Sequence, residues 1–548
     1  MTSPKPATLR QRLWQRLEQP AVQRRAMWIV PLLFGLMSVM LRQDNNWDLR
    51  NYHLYNPFAW LNGKIDFDLA PAQMQTYFNP TLDLLYYGLT RVLPGPVTGF
   101  IMGTLHGLNF ILLVLIGREL LPKQPAQGRS ALLLALAGMF GAGFISQIGN
   151  TMGDNMTALF VLGALLLLLR RWQHLARAAG LAALGAGLLA GLGTGLKLTN
   201  AVYALALCLS LFALPAPFWR RLCCAFTFGV GVLLGMAASA GHWYWKMWTV
   251  FGNPLFPQFN NIFHGPLASP MGVGDTNWLP QGWTERLLWP FVFALDPRQV
   301  SEIALSLLVW PILYVAFILL ALHALARRGQ ASTQDDTARS RLAMLWLFFG
   351  LSYLIWMNLF SIYRYLVPLE LLAPLVLWLI AQRLRPGQPA ARIVTVLLLV
   401  VIAASFLKSP SWGRAKWAGE SFRAEVPAIA QPEESMVFTV HGDPPMGWLV
   451  TMFPVRLAFV SLSSGFPESD VYRARVAAMV AERSGPLYVM VKAGDAADGT
   501  TLQRARQVLD GYGLALAPDS CRTYRAFVGR NPFDYQLCNV NGRAGTPR

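Results

Sequence analysis

Repeated apolar segments of membrane-spanning length are the feature that most constrains how this chain folds. A spanning helix usually needs ~20 apolar residues. With 54% hydrophobic and 14% charged residues and a mean hydropathy of +0.38, the chain is too apolar for a soluble globular protein. We therefore expect an all-α polytopic membrane domain over residues 1–407, with about eleven transmembrane helices at 27–41, 97–115, 131–148, 156–169, 181–196, 201–214, 223–240, 303–321, 342–360, 366–380 and 393–407.

Basic residues at alternate loops predict the orientation of these helices. Arg24 and Arg25 precede the first span, and further arginines follow at every second loop. Since Lys and Arg accumulate in short cytoplasmic loops, the N-terminus is expected in the cytoplasm of a bacterium, with the protein in its inner (plasma) membrane. The first span has no small-residue cleavage site after it, so we interpret it as a retained helix. A large first loop, residues 43–96, then lies outside the cytoplasm.

The net charge of +18 indicates contact with membrane lipid. Most of the excess lies at the predicted cytoplasmic loop ends, where basic residues face anionic headgroups. The charge therefore does not require a nucleic-acid partner.

Residues 408–548 differ in composition from the rest and predict a small extracytoplasmic α/β domain. Short β-branched and aromatic runs at 436–440, 457–460 and 487–491 alternate with helical patterns. Cys521 and Cys538 both lie there, and an oxidising compartment such as the periplasm allows them to form a disulfide. The domain is expected to cap the membrane part or to form a platform for an acceptor.

An acidic residue directly after the first span is the leading catalytic candidate. Asp48 would lie at the membrane interface beside apolar surface, which raises the proton affinity of a carboxylate and suits a general base. A helix cap or an ion pair with Arg50 is the alternative. Asp154 belongs to the next outer loop and either converges with Asp48 across a cavity or caps the span at Met156.

The residues after Asp48 have the chemistry of a sugar-binding surface. Tyr52 and Asn56, or Asn51 and Tyr55, share a helical face, and such a face stacks on a sugar ring while bonding its hydroxyls. His53 lies between them, although a lone histidine is more often structural.

An Asp-Phe-Asp sequence in the same loop is the candidate metal site. Asp66 and Asp68 supply oxygen ligands of the kind that Mg²⁺ or Mn²⁺ prefers. The pattern is common by chance, so metal-independent chemistry stays open.

Two cations lie at membrane depth. Lys197 interrupts an apolar run, and Arg364, next to Tyr363, lies at the outer end of a later span. An unpaired charge at the bilayer centre costs about 3 kcal/mol, so such residues usually face a cavity or a partner. Together they suit an anionic lipid headgroup. The alternatives are an ion pair or snorkelling for Lys197 and an interfacial anchor for Arg364.

Taken together in their order along the chain, these motifs resemble those of the GT-C superfamily of integral-membrane glycosyltransferases, most closely its bacterial family 87-like members. The resemblance rests on Asp48, Asp154, the runs at 195–200 and 252–257, and the Tyr-Arg-Tyr-Leu-Val-Pro-Leu run at 363–369. It spans about the first three quarters of the chain. It implies a sugar donor linked to polyprenyl phosphate and a lipid, glycan or protein acceptor.

The resemblance also implies residue roles. Asp48 would deprotonate the acceptor, and Asp154 would orient the acceptor or a metal. Arg364, with Lys197, would neutralise the phosphate that leaves. The other residues that we predict to bind substrate are Tyr52, His53, Asn56 and Tyr363.

Other classes of function remain open from the sequence. A transporter or flippase for a lipid-linked glycan would also use cations at membrane depth, but the related halves common in transporters are not visible. A non-catalytic scaffold for envelope glycans is a further alternative. The loop at 253–301 is either a lid over the site or an aromatic belt at the membrane interface.

Overall fold

The computed structural model describes residues 9–177, 180–272, 275–327, 336–407, 410–494 and 500–542. Within these residues, eight helices are long and apolar enough to cross a membrane: Pro20–Leu41, Gly95–Leu120, Asp154–Arg177, Phe218–Phe251, Val309–Ala326, Asp336–Leu359, Tyr363–Leu384 and Gln388–Leu407. The remaining three predicted spans form shorter helices, Gln127–Gly138, Leu181–Leu196 and Ala201–Ser210. The chain is a multi-pass membrane protein, as its hydropathy predicts.

Glycines allow the helix pair that carries Lys197 to pack closely. Helix Leu181–Leu196 crosses Phe218–Phe251 at glycines on both helices. A Cβ atom added to Gly187 would lie 2.0 Å from the Phe228 carbonyl oxygen, and one added to Gly235 would lie 2.3 Å from the Leu188 carbonyl oxygen. Small residues let membrane helices approach at their backbones. A Cβ atom added to Gly195 would lie 2.2 Å from the Ser239 hydroxyl oxygen, so the close packing continues to the end of the helix just before Lys197.

The first loop is folded into short helical turns over the ends of the spans. It contains a π-helical turn at Leu49–His53, helices at Tyr55–Leu61 and Asp83–Val92, and tight turns at Lys64–Asp66 and Gln73–Tyr77. Other short elements are helices Leu9–Glu18, Ala142–Ser146, Asn260–Phe263 and Gly282–Leu295, and 3₁₀ turns Leu198–Asn200, Leu211–Ala213, Thr276–Trp278, Pro297–Gln299 and Tyr363–Leu366.

The C-terminal part is the predicted α/β fold, which we name the tail domain, residues 410–494 and 500–542. Its main sheet has the strand order Ala458–Leu462, Met436–Val440, Leu487–Lys492, Tyr535–Gly542 and Leu514–Leu516, and Arg522–Tyr524 also pairs with Tyr535–Gly542. The first three strands are parallel, and Tyr535–Gly542 is antiparallel to them.

Helices and smaller sheets complete the tail domain. Helix Asp470–Ala481 connects two of the parallel strands, as a parallel pair requires. Its other elements are helices Gly447–Val450 and Thr500–Gly511, the turn Pro518–Ser520, and a small sheet of Phe422–Ala424, Ala526–Val528 and Asn531–Pro532. Arg414–Ala415 pairs with Gln43–Asp44, beside the first span. Cys521 and Cys538 are joined by a disulfide.

The tail domain and the first loop share one hydrophobic core. Leu69 pairs with Val460 as an isolated parallel bridge at the edge of the main sheet. The Lys64 ammonium group donates to the Leu457 carbonyl oxygen at 2.7 Å, and Asp68 accepts from the Phe459 amide at 2.9 Å. The tail domain therefore holds the loop that carries Asp48. The division of the chain at residue 408 stays a prediction, and residues 408–409 lie outside the described part.

Candidate active site

A cavity of about 560 Å³ lies where the first loop meets the ends of several spans. Its walls come from the first loop, the segment around Lys197, helix Phe218–Phe251, the loop before Trp278 and the segment 360–365. The polar and charged residues among its lining are Asp48, Tyr52, His53, Gln75, Tyr77, Asn79, Asp83, Lys197, Thr199, Tyr244, Gln258, Asp275, Glu302, Arg364 and Tyr365. The size is that of a typical small-molecule site.

Asp48 and Arg364, which both line this cavity, form an ion pair. Arg364 Nη1 lies 2.7 Å from Asp48 Oδ2, and both side chains are largely buried. The guanidinium group also lies over the ring of Tyr365, 5.4 Å from its centroid. The structure thus brings together two predicted site residues, and it gives Arg364, not Arg50, as the ion-pair partner of Asp48.

The expectation of a raised proton affinity at Asp48 is wrong. Burial does raise the pKa of Asp48, but the Arg364 guanidinium, with His53 and Lys197, more than offsets it and holds the pKa below the ordinary 3.8. A nearby opposite charge favours the ionised form of a carboxyl group. Asp48 is therefore a carboxylate at neutral pH.

Lys197 and Asp154 form a second ion pair beside the first. Lys197 follows the end of helix Leu181–Leu196, and Asp154 begins helix Asp154–Arg177. Their charged atoms lie 2.6 Å apart, and Lys197 also donates to the Met152 carbonyl oxygen. The Lys197 ammonium group lies 5.2 Å from the centroid of the Tyr365 ring. Both cations therefore contact the same aromatic ring.

Tyr52 and His53, which we predict to bind substrate, both line the cavity. Their rings pack against each other, with centroids 4.0 Å apart. His53 Nδ1 lies 2.7 Å from Oδ1 of Asp83, the first residue of helix Asp83–Val92. Burial raises the pKa of Asp83, and His53 opposes this shift.

Asn56 and Tyr363 do not line the cavity. Asn56 is buried, and its amide donates to the Gln75 carbonyl oxygen at 2.8 Å. The Tyr363 hydroxyl donates to Glu370 Oε1 at 2.5 Å, inside the helix bundle. Each is close in sequence to a cavity residue, but its polar atoms are engaged by the protein itself. A role in substrate binding stays a prediction for both.

Asp66 and Asp68 point to different places, and neither lines the cavity. Asp66 is 57% exposed and forms an ion pair with Lys246. Asp68 is buried, accepts from the Tyr55 hydroxyl at 2.8 Å and lies 3.3 Å from the Lys64 ammonium group. In the described parts of the chain, no group of three or more His, Cys, Asp or Glu residues is arranged to hold a metal ion.

Sequence reasoning missed several cavity residues besides Asp83. They are Gln75, Asn79, Trp243, Tyr244, Glu302 and Tyr365. The loop predicted as a lid or a belt contributes to the wall at Asp275 and Trp278, whereas Trp283 is 85% exposed. Aromatic and amide residues are concentrated at the ends of the spans. This concentration is the sequence signal that could have identified these cavity residues.

The fold and the charged cavity define a multi-pass membrane protein with a pocket at the ends of its spans. The family described as dolichyl-phosphate-mannose-protein mannosyltransferase matches residues 99–245, which include Asp154 and Lys197. The match covers about a quarter of the chain and supports the resemblance to the GT-C superfamily. No match was found among curated proteins.

Proposed function

We propose that this protein transfers a sugar from a polyprenyl-phosphate donor to a hydroxyl group of a lipid, glycan or protein acceptor. The reaction takes place on the periplasmic face of the bacterial inner membrane, in the synthesis of cell-envelope polysaccharide or glycolipid. The observation that carries the proposal is the pairing of Asp48 with Arg364 in a cavity of about 560 Å³ beside apolar spans. A carboxylate beside a guanidinium group suits a base and a phosphate-binding cation in one site.

Asp48 acts as the base in this reaction. The acceptor oxygen forms a bond to the anomeric carbon while the bond from that carbon to the phosphate oxygen breaks. The electron pair of the broken bond stays on the phosphate, and the acceptor proton passes to Asp48. Because Arg364 keeps Asp48 ionised at neutral pH, the carboxylate is available for this proton.

Arg364 and Lys197 stabilise the phosphate that leaves. Negative charge builds up on the phosphate as the bond breaks, and fixed cations in a site shielded from water stabilise such charge strongly. The planar guanidinium of Arg364 suits two-point binding of phosphate. Lys197 lies near the same Tyr365 ring, and Asp154 holds its ammonium group in place.

Aromatic side chains give the cavity a surface for a sugar ring. Tyr52, Tyr77, Trp243, Tyr244 and Phe256 all line it. Aromatic faces contact the apolar side of a sugar, while neighbouring amides such as Gln75 and Asn79 match its hydroxyls. These residues support a saccharide as the transferred group.

The test compares wild-type protein with Asp48→Asn and Asp66→Asn. Each variant is purified in detergent and incubated with a panel of radiolabelled polyprenyl-phosphate sugars and total cell lipid, and label released from the donor is followed. Asp66→Asn is the matched control, because Asp66 is an exposed carboxylate of the same loop outside the cavity. We expect release by wild type and Asp66→Asn only. Equal release by Asp48→Asn would refute the role of Asp48, and no release by folded wild type would refute the transferase function.

A further inference from the structure

A groove with apolar walls lies outside the charged cavity, between spanning helices. Helices Val309–Ala326, Tyr363–Leu384 and Gln388–Leu407 form most of its walls, and its volume is about 440 Å³. Every described side chain that lines it is apolar, and two of them, Val315 and Ile393, are 44% and 56% exposed. Because both lie within spanning helices, the open side of the groove faces the hydrocarbon part of the bilayer. The walls therefore match a hydrocarbon chain.

The groove lies on the side of the membrane opposite to the active-site cavity. Helix Tyr363–Leu384 contributes Arg364 to the cavity and Leu384 to the groove. With a rise of ~1.5 Å per residue, these two residues are about 30 Å apart along the helix, which is the thickness of the hydrocarbon core. A lipid whose headgroup lies at the Leu384 end therefore belongs to the other leaflet from the cavity.

Two arginines extend the walls of the groove at this end. On the first wall Leu319 lines the groove, and His323 and Arg327 follow at intervals of four residues, which places them on the same helical face. The Arg327 amide donates to the His323 carbonyl oxygen at 3.1 Å, so the helical turn continues to Arg327. On the second wall Arg385 directly follows Leu384. Both arginines are exposed, and within the described part of the chain neither has an ion-pair partner.

An apolar groove that ends at two exposed guanidinium groups matches an anionic phospholipid in both shape and charge. The apolar walls take an acyl chain, and a guanidinium group binds phosphate in a two-point geometry. Arg327 and Arg385 each follow the last residue of a spanning helix, which places them at the level of the headgroups. Basic residues between spanning helices at this level bind anionic headgroups.

We propose that this groove binds one anionic phospholipid of the bilayer, with an acyl chain between helices Val309–Ala326 and Tyr363–Leu384 and the phosphate at Arg327 and Arg385. The site lies on the side of the membrane that the basic loops predict to be cytoplasmic. It does not depend on the proposed transferase function, which needs the donor phosphate at Arg364, about 30 Å away.

Charge argues against a second copy of this chain as the occupant. In a two-fold symmetric pair that packs groove against groove, the same residues of the two copies meet. Arg327 and Arg385 of both copies would then lie together at one depth of the membrane, and like charges repel. A phosphate group neutralises the same cluster of cations.

Native mass spectrometry of the full chain in detergent counts the lipids that it retains. The probes are phosphatidylglycerol, which is anionic, phosphatidylcholine, which has no net charge, and glycerol 3-phosphate, which is anionic but has no acyl chain. We expect wild type to retain one phosphatidylglycerol per chain and to bind the other two probes at least about tenfold more weakly. Equal binding of phosphatidylcholine, or equal binding of glycerol 3-phosphate, would overturn the inference.

Arg327→Gln/Arg385→Gln tests the headgroup contact. A basic residue beside anionic lipid contributes about fivefold to affinity, so we expect the Kd for phosphatidylglycerol to rise about twentyfold in this double variant. Arg24→Gln/Arg171→Gln is the matched control, because both arginines are exposed near the same side of the membrane and neither lines the groove. The control should bind as wild type does. An equal Kd in the two double variants would overturn the site.

Ala381→Phe tests the chain contact without changing the charge. Ala381 lines the groove and is half-buried, so a phenylalanine there fills the space for an acyl chain. We expect the affinity for phosphatidylglycerol to fall at least about tenfold while the thermal unfolding temperature stays close to that of wild type. Leu354→Phe, at an exposed apolar residue of another span, is the control. Unchanged affinity in Ala381→Phe, or a wild-type dimer that this substitution separates into monomers, would overturn the inference.

Discussion

Nη1 of Arg364 lies 2.7 Å from Oδ2 of Asp48, although 316 residues separate them along the chain. One belongs to the first loop and the other to the turn that enters span Tyr363–Leu384. The ion pair connects the loop after the first span to one of the last spans of the membrane domain. It also keeps the Asp48 carboxyl group ionised. The function of the site is therefore coupled to the packing of distant spans.

Arg364→Gln should move the acid limb of the pH–rate profile to higher pH. In wild type, the guanidinium holds the pKa of Asp48 below 3.8 against the effect of burial. Without it, burial is opposed only by His53 and Lys197, so the pKa of Asp48 rises. Because the base must be ionised, kcat/KM falls as pH decreases through this pKa, and the fall begins at higher pH in the variant. The profile of kcat/KM against pH measures the shift.

The control for this prediction is Arg50→Gln. Arg50 is close in sequence to Asp48, but its guanidinium group lies over the Phe533 ring, 5.4 Å from the centroid. The acid limb of the pH–rate profile of Arg50→Gln should coincide with that of wild type. An acid limb that stays in place in Arg364→Gln would show that Asp48 is not the group that titrates.

Lys197→Met should lower stability, and Asp154→Asn should partly restore it. The two charged groups lie 2.6 Å apart, and the Asp154 side chain is almost fully buried. Removing one partner of a buried ion pair costs about 3–5 kcal/mol because the remaining charge is left without compensation, whereas removing both charges costs less. Thermal unfolding in detergent of the two single variants and the double variant gives the coupling energy. Additive losses would mean that the two residues do not stabilise each other.

Replacing Cys521 and Cys538 by serine should destabilise the tail domain alone. The disulfide closes a segment with a sequence separation of 17, and a bond of this kind contributes about 2–4 kcal/mol. Hydrogen exchange should rise in Tyr535–Gly542 and leave the spans unchanged. In cells, a membrane-impermeant thiol reagent should label the tail domain only after reduction, which also tests its predicted periplasmic location. Labelling without reduction would contradict the disulfide in cells.

Sequence patterns predicted the elements of this fold better than the members of its site. Apolar segments and the strand Met436–Val440 are local features, so hydropathy and alternation identify them. The contact of His53 with Asp83 depends on how the first loop folds back over 30 residues, which no local pattern encodes. Asn56 is predicted to share a helical face with Tyr52, but a π-helical turn ends at His53 and a new helix begins at Tyr55, so the spacing of one regular helix does not apply. Tyr363 belongs to the same run as Arg364, but its hydroxyl lies inside the helix bundle against Glu370.

Lys64→Met should loosen the contact between the first loop and the tail domain. The side chains of Lys64 and Asp68 are both 0% exposed, and their charged atoms lie 3.3 Å apart. Burial lowers the pKa of Lys64 and raises that of Asp68, and each charge opposes the shift of the other. Removing one partner of a buried ion pair costs about 3–5 kcal/mol, because the remaining charge is left without compensation.

The measurement for Lys64→Met is hydrogen exchange of the backbone amides in strand Ala458–Leu462, which borders the loop through the pairing of Leu69 with Val460. We expect faster exchange there and reduced sugar release, since the loop that carries Asp48 loses its support. Lys246→Met is the matched control, because its ion pair with Asp66 is exposed and pairs of that kind contribute at most about 1 kcal/mol. Equal exchange in the two variants would show that the buried pair does not hold the tail domain against the loop.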